Sequence, residues 1–331
     1  MKFILNIPKI IPILVLALVF TTSCSNDDDN TPDPPAQLSI VETALATPDL
    51  TSLVAALQAA DGDLINVINN GTFTVLAPTN AAFDAFLAAN GFATLGDVPT
   101  DVLSNILLNH VITGEVTSTD LVQGGAGYTT TNATNADGDI LSLYYNTSDG
   151  VRFNGVSSVT ATGADIEASN GVVHIVDAVI GLPTVVTFAT ADPTFETLVA
   201  ALTRDDLTFD YVTTLSSTDG LSPFTVFAPT NDAFGDLLAE LELDGLADID
   251  EPTLKATLDH HAVAMANVRA EDLSQGQVVG TIGGDITISL DAGAQIIDAN
   301  GRTIDIIATN VQAFNGVVHA INTVILPPLT E

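Results

Sequence analysis

Two separated segments of this chain occur twice, in the same order. Thr74-Val-Leu-Ala-Pro-Thr-Asn-Ala-Ala-Phe83 returns as Thr225-Val-Phe-Ala-Pro-Thr-Asn-Asp-Ala-Phe234, and Asn170-Gly-Val-Val-His174 returns unchanged as Asn315-Gly-Val-Val-His319. Segments that keep their order at a spacing of about 145 residues describe a duplicated folding unit, neither one large domain nor a short-period solenoid. The duplication also sorts residues by role. One present in both copies is expected to serve the fold, and one present in a single copy is freer to serve a site.

The region before the first copy reads as targeting sequence. Lys2 and Lys9 precede an apolar run, Ile10 to Phe20, that is too short to span a bilayer comfortably and is followed by Thr21, Thr22 and Ser23. Cys24 comes next and is the chain's one cysteine, so it has no internal disulfide partner; its place fits lipid modification of a bacterial lipoprotein. Thr21 departs from the leucine-like residue usual three before such a cysteine. Acyl chains on Cys24 would anchor the protein to a membrane without spanning it. Ser25 to Asn30 and Thr31 to Pro35 then form a polar, proline-rich tether with an acidic run, resembling the signal that sends some outer-membrane lipoproteins to the cell surface. The expected organisation is a signal peptide over 1–23, a tether over 24–36, and domains over 37–184 and 185–331, held at the cell envelope.

Charge excludes one class of partner. The chain carries 7 Lys and Arg against 41 Asp and Glu, a formal net charge of −34, and two of the lysines belong to the leader. Arg152, Arg204, Lys255, Arg269 and Arg302 assemble no basic patch, so nucleic acid is excluded. Such acidity suits an extracellular protein in salt that screens self-repulsion. Disorder does not follow, because 47% of residues are hydrophobic, enough for two cores of ordinary size.

Within each copy the periodicities agree. Leu50, Leu53, Val54 and Leu57 fall at helical spacing, as do Phe195, Leu198, Val199 and Leu202. Phe73 and Val75, like Phe224 and Val226, alternate with smaller or polar residues and predict a strand that Pro78 or Pro229 ends. Thr79 and Asn80, or Thr230 and Asn231, then cap a helix that buries Phe83, Phe86 and Leu87, or Phe234, Leu237, Leu238 and Leu241. The later half of each copy holds β-branched runs punctuated by Asn154-Gly155, Asn170-Gly171, Asn300-Gly301 and Asn315-Gly316, all tight-turn signals. Helices first and sheet afterwards favour an α+β fold over a doubly wound one. The short junction Leu182 to Val185 leaves little slack, so the two domains are expected to touch or hinge only modestly.

These motifs, with Leu107-Leu-Asn-His-Val111 and the closing Ile180-Gly-Leu-Pro183 and Ile325-Leu-Pro-Pro328, resemble the elements of fasciclin domains, twice, from about Leu38 to Pro328. The resemblance implies a β-sandwich-like wedge with several α-helices and a role in extracellular adhesion or matrix binding. It implies that His110, His174 and His319 belong to the packed framework. It also points to Asp165 and Ile166, which stand where an Asp-Ile pair is implicated in integrin contact in animal members. Asn310 and Val311 replace that pair in the second copy, and Asn109 stands where a tyrosine is common before the histidine, as Asp259 or His260 does in copy two.

No catalytic constellation emerges. His110 matches His260 or His261 and His174 matches His319, so repetition argues for structure, and only Asp259 beside His260 and His261 suggests a metal. Asn135 to Asp139 has calcium-loop composition, but Ala133 and Tyr144 occupy the first and closing ligand positions, so a polar hairpin tip is expected. The expectation is a non-catalytic adhesion lipoprotein without cofactor or metal, binding an extracellular protein or polysaccharide, with Asp165, Ile166 and His110 as candidate contacts. Its alternative is a glycan-capture accessory of a polysaccharide-uptake system. The lack of tryptophan, with only Tyr128, Tyr144, Tyr145 and Tyr211 as tyrosines, weakens that alternative.

Overall fold

A computed structural model describes residues 37–328. The expected leader, Cys24 and the tether lie outside the described residues.

Each copy opens with two short helices set nearly at right angles. In the first, Ile40–Ala46 is held by a capping box in which Ser39 and Glu42 satisfy each other's backbone amides. The chain then turns at Pro48 into Thr51–Ala59, a bend of 106°. The second copy repeats this with Val185–Ala191, boxed by Thr184 and Thr187, then Pro193 and Glu196–Leu202, a bend of 95°. Proline is tolerated there because the first amides of a helix have no intrahelical acceptor to lose.

The central strand of each copy is the predicted one, Phe73–Pro78 and Phe224–Pro229. It pairs in parallel with the closing strand, Phe73 to Gly171 through Pro78 to Val176, and Phe224 to Gly316 through Pro229 to Ile321. On its other side it pairs antiparallel with Val111–Thr113 or Ala262–Ala264. Gly171 and Gly316 are required by close approach. A Cβ at either would lie 1.9 Å or 2.1 Å from the carbonyl oxygen of Phe73 or Phe224, in a backbone with φ of 140° or 153°.

The copies differ at the strand before the closing one. In the second, Thr303–Ala313 runs unbroken and joins the central strands to an outer meander, giving one seven-stranded sheet. In the first, Ser157–Ser158 and Ile166–Ala168 take its place as separate strands, so two four-stranded sheets form. Each domain has a helix-side core, around Leu50, Leu53, Phe83 and Leu103 in copy one, and a sheet-side core, around Leu76, Leu143, Phe153 and Ile180.

The copies do more than touch. Tyr144, on the first copy's strand Ile140–Asn146, is buried in the core of the second with Val185 and Phe188. Tyr128 stands edge-on to Phe188 at 5.6 Å and donates its hydroxyl to Asp192 at 2.9 Å. Burial first, then the Asp192 carboxylate, pushes the Tyr128 pKa up, which keeps that hydroxyl a donor. Across the same seam the Gln312 amide donates to Ser142 Oγ at 2.9 Å, and Asp139 accepts from Asn267 and pairs with Arg269. The Asn135 to Asp139 segment is a hairpin tip: Asn135 Oδ1 accepts the amides of Asp137 and Asp139, and Asp139 then reaches the second domain.

Candidate binding site

The duplicated polar residues are consumed by the fold. Thr79 and Thr230 are N-caps, accepting from the amides of Ala82 and Ala233. Asn80 and Asn231 do a different job from the capping expected of them. Asn80 Oδ1 accepts from the Ser52 amide while its Nδ2 donates to the Pro48 carbonyl, and Asn231 makes the same pair of bonds with Thr197 and Pro193. Each clamps the bend between the opening helices. Asn170 accepts from the Ile40 amide and donates to the Ile68 and Gly71 carbonyls; Asn315 accepts from Val185 and donates to Leu215 and Ser217. The side chain of the Asn-Gly pair thus ties the closing strand to the opening helix and to the loop before the central strand.

The histidines divide into two structural types. In His174 and His319, Nδ1 accepts a backbone amide, from Asp165 and Asn310, so Nε2 carries the proton and donates to the carbonyl of Val116 or Val268. In His110 and His261 the roles are reversed: Nε2 accepts from Ile180 or Ile325, and Nδ1 donates to Ile106 or Thr257. The geometry therefore matches His110 with His261 and leaves His260 as the odd one. Burial holds the pKa of both His110 and His261 down at about 4, and burial also lowers that of His319.

Two candidate contacts change role as a result. His110 is 2% exposed with both ring nitrogens engaged, so it cannot reach a ligand. Asp165 sits in a left-handed conformation, φ 53°, and its carboxylate accepts from both the amide and the hydroxyl of Ser118, the first residue of the helix Ser118–Gly124. Asn310, φ 60°, accepts from the Ala270 amide in the second copy. What Asp and Asn share is a short side-chain oxygen and tolerance of positive φ. Asp165 is thereby a framework residue, and Ile166 packs half-buried against the helix-side core. The Asp259, His260 and His261 trio also fails to converge. Asp259 takes the Tyr211 hydroxyl and Lys255, while the two rings bond separate carbonyls of their own helix.

One groove at the domain seam keeps two charged side chains, Arg152 and Asp149, outside any ion pair among the described residues. A cavity of about 270 Å³ lies between the first copy's turn, with Asn146, Ser148, Asp149 and Arg152, and Thr190 of the second copy's opening helix. A second hollow of about 250 Å³ continues past Asn146 towards Asp192 and Thr194. In the sequence Arg152 is simply one of few cations. The signal that marks it was its occurrence in one copy, since Gln295 takes its place in the second hairpin: Arg152 pairs in register with Asn146 as Gln295 does with Ser289.

Fold and site together define a tandem of duplicated α+β domains whose repeated polar residues build the scaffold. The fasciclin-domain family profile matches residues 48–183 and 193–327, and the chain belongs to that family. Transforming growth factor-beta-induced protein ig-h3 of Sus scrofa is 30% identical over 264 residues, 78% of this chain and 35% of that protein, so this chain spans only about a third of that relative. Cell surface glycolipoprotein MPB83 of Mycobacterium bovis is 41% identical over 85 residues, 24% of this chain and 37% of that protein. Among solved structures, the FAS1 domain pair of the insect cell adhesion molecule fasciclin I aligns with a TM-score of 0.49 and 20% identity, covering 84% of this chain and 97% of that one.

Proposed function

We propose that this protein is a non-catalytic adhesion module, held on the cell envelope through a lipid on Cys24 and presenting its two fasciclin domains as one rigid body. The observation that carries the proposal is the seam. Tyr144 of the first copy lies in the core of the second, so the pair offers a continuous surface in a fixed geometry. A rigid pair engages a partner with little ordering cost, and many copies on a membrane multiply weak contacts. Family membership supports the adhesive role, and the name of the mycobacterial relative places that protein at a cell surface.

Two measurements test this. Radiolabelled palmitate should enter the wild-type protein in a Gram-negative host and not Cys24→Ser. Beads coated with the mature protein should attach to extracellular matrix or polysaccharide films more than beads coated with an equally acidic control protein. Equal attachment of the two kinds of bead would sink the adhesive role, and labelling of Cys24→Ser would sink the anchor.

A further inference from the structure

The seam groove is distinguished by its charges. Four of the five cations among the described residues engage a carboxylate: Arg204 with Asp206, Lys255 with Asp259, Arg269 with Asp139 and Arg302 with Asp298. Among the described residues Arg152 makes no such pair, in a chain with 41 acidic residues. It is exposed, and it lines the groove with Asp149, which is also exposed and free of any ion pair. The second copy shows the alternative. Gln295, in the position of Arg152, spends its side chain on Asp305 at 2.7 Å.

A guanidinium only donates hydrogen bonds and a carboxylate only accepts them. An anionic ligand would satisfy Arg152 and be repelled by Asp149, and a cation would meet the reverse; the net charge of −34 further disfavours an acidic polymer. A hydroxyl both donates and accepts, so a pair of neighbouring hydroxyls on a neutral ligand satisfies both groups at once. The Ser148 hydroxyl adds a donor and an acceptor to the same walls, while the Asn146 amide is tied to Tyr144 and the Ser148 amide, and the Thr190 hydroxyl donates to Val186. The first hollow is near the lower end of ligand-pocket sizes, about 300–1,000 Å³, and suits a ligand of one sugar ring; the hollow beyond Asn146 gives room for the next.

We propose that the seam groove binds a neutral saccharide chain, with vicinal hydroxyls bridging Arg152 and Asp149. This rests on the adhesive role and names the class of its ligand. Because the two walls come from different copies, the site exists only in the tandem.

The test is saturation-transfer NMR and calorimetry on the mature protein with cellobiose, maltose, lactose and mannobiose, and with glucuronic and galacturonic acid as an anionic arm. Saturable binding of at least one neutral disaccharide is expected. Arg152→Ala and Asp149→Asn should each weaken it about tenfold, the loss of one good charge-assisted hydrogen bond. Gln295→Ala should leave it unchanged, and all three variants should melt with the wild type. Absence of binding to every neutral disaccharide, binding that survives both groove substitutions, or preference for the uronic acids would overturn the proposal. Bead attachment measured on the same variants separates the two ideas: attachment without saccharide binding removes the groove and keeps adhesion, and saccharide binding without attachment does the opposite.

Discussion

Lowering the pH from 7.5 to 5 should destabilise this protein through two buried imidazoles. His110 and His261 each accept a backbone amide on Nε2, and each has a pKa held at about 4 by burial, against an ordinary value near 6.5. The unfolded chain therefore binds more protons than the folded one between those values, so stability is full above about pH 6.5 and falls as the pH drops towards 4. At pH 5 the unequal protonation amounts to about 2 kcal/mol per ring, or about 4 kcal/mol for the pair. For a cooperative unit of this size that lowers Tm by roughly 8 °C. Most carboxylates titrate near pH 4, so the window isolates the imidazoles, and any relief of acidic repulsion would act in the opposite direction. The assay is calorimetry at pH 7.5 and 5 on the wild type and on the double variant His110→Gln, His261→Gln, which retains a donor and an acceptor without a titrating ring. The variant should be less stable at pH 7.5 and should lose clearly less on acidification than the wild type, keeping only the smaller share left to the buried His319. An unchanged wild-type Tm, or an equal shift in the double variant, would refute the reasoning.

Other substitutions probe the scaffold. Gly171→Ala places a methyl group 1.9 Å from the Phe73 carbonyl and should cost about 2–4 kcal/mol in urea unfolding, whereas Gly91→Ala, with open space around it, should cost less. Tyr144→Ala removes a ring from the second copy's core and should cost about 3–5 kcal/mol, and the wild-type tandem should melt in one calorimetric transition that this variant splits in two. Thr230→Ala removes an N-cap and should lower stability by about 1 kcal/mol without affecting saccharide binding.

Much of the scaffold was legible because its determinants are local and occur twice. The Ala-Pro-Thr-Asn run announces strand, stop and helix start from backbone chemistry alone, and the structure follows it with Phe73–Pro78, the Thr79 cap and Asn80–Ala89. The work of Asn80 was not legible. Its partners, Ser52 and Pro48, lie about thirty residues away and are fixed only when the bent helices pack. The work of Asp165 was not legible for a related reason. Its carboxylate faces Ser118, a contact across 47 residues, and in sequence nothing separates an aspartate that holds a loop from one that waits for a partner.

The duplication nonetheless contained the means to correct this. Asp165 and Asn310 differ in charge, yet both have positive φ and both accept an amide, from Ser118 and Ala270. A substitution that preserves the hydrogen bond and discards the charge shows that the bond was what the fold needed. Arg152 and Gln295 differ in the opposite sense. Gln295 is tied to Asp305, but Arg152, at the matching place in its hairpin, has no such tie and faces a groove that closes only when the second copy's opening helix packs beside it. Divergence that keeps a contact marks scaffold, and divergence that releases one marks a place where the tandem could acquire a ligand. By that criterion the seam, built from the least symmetrical parts of a symmetrical sequence, is where recognition should be sought.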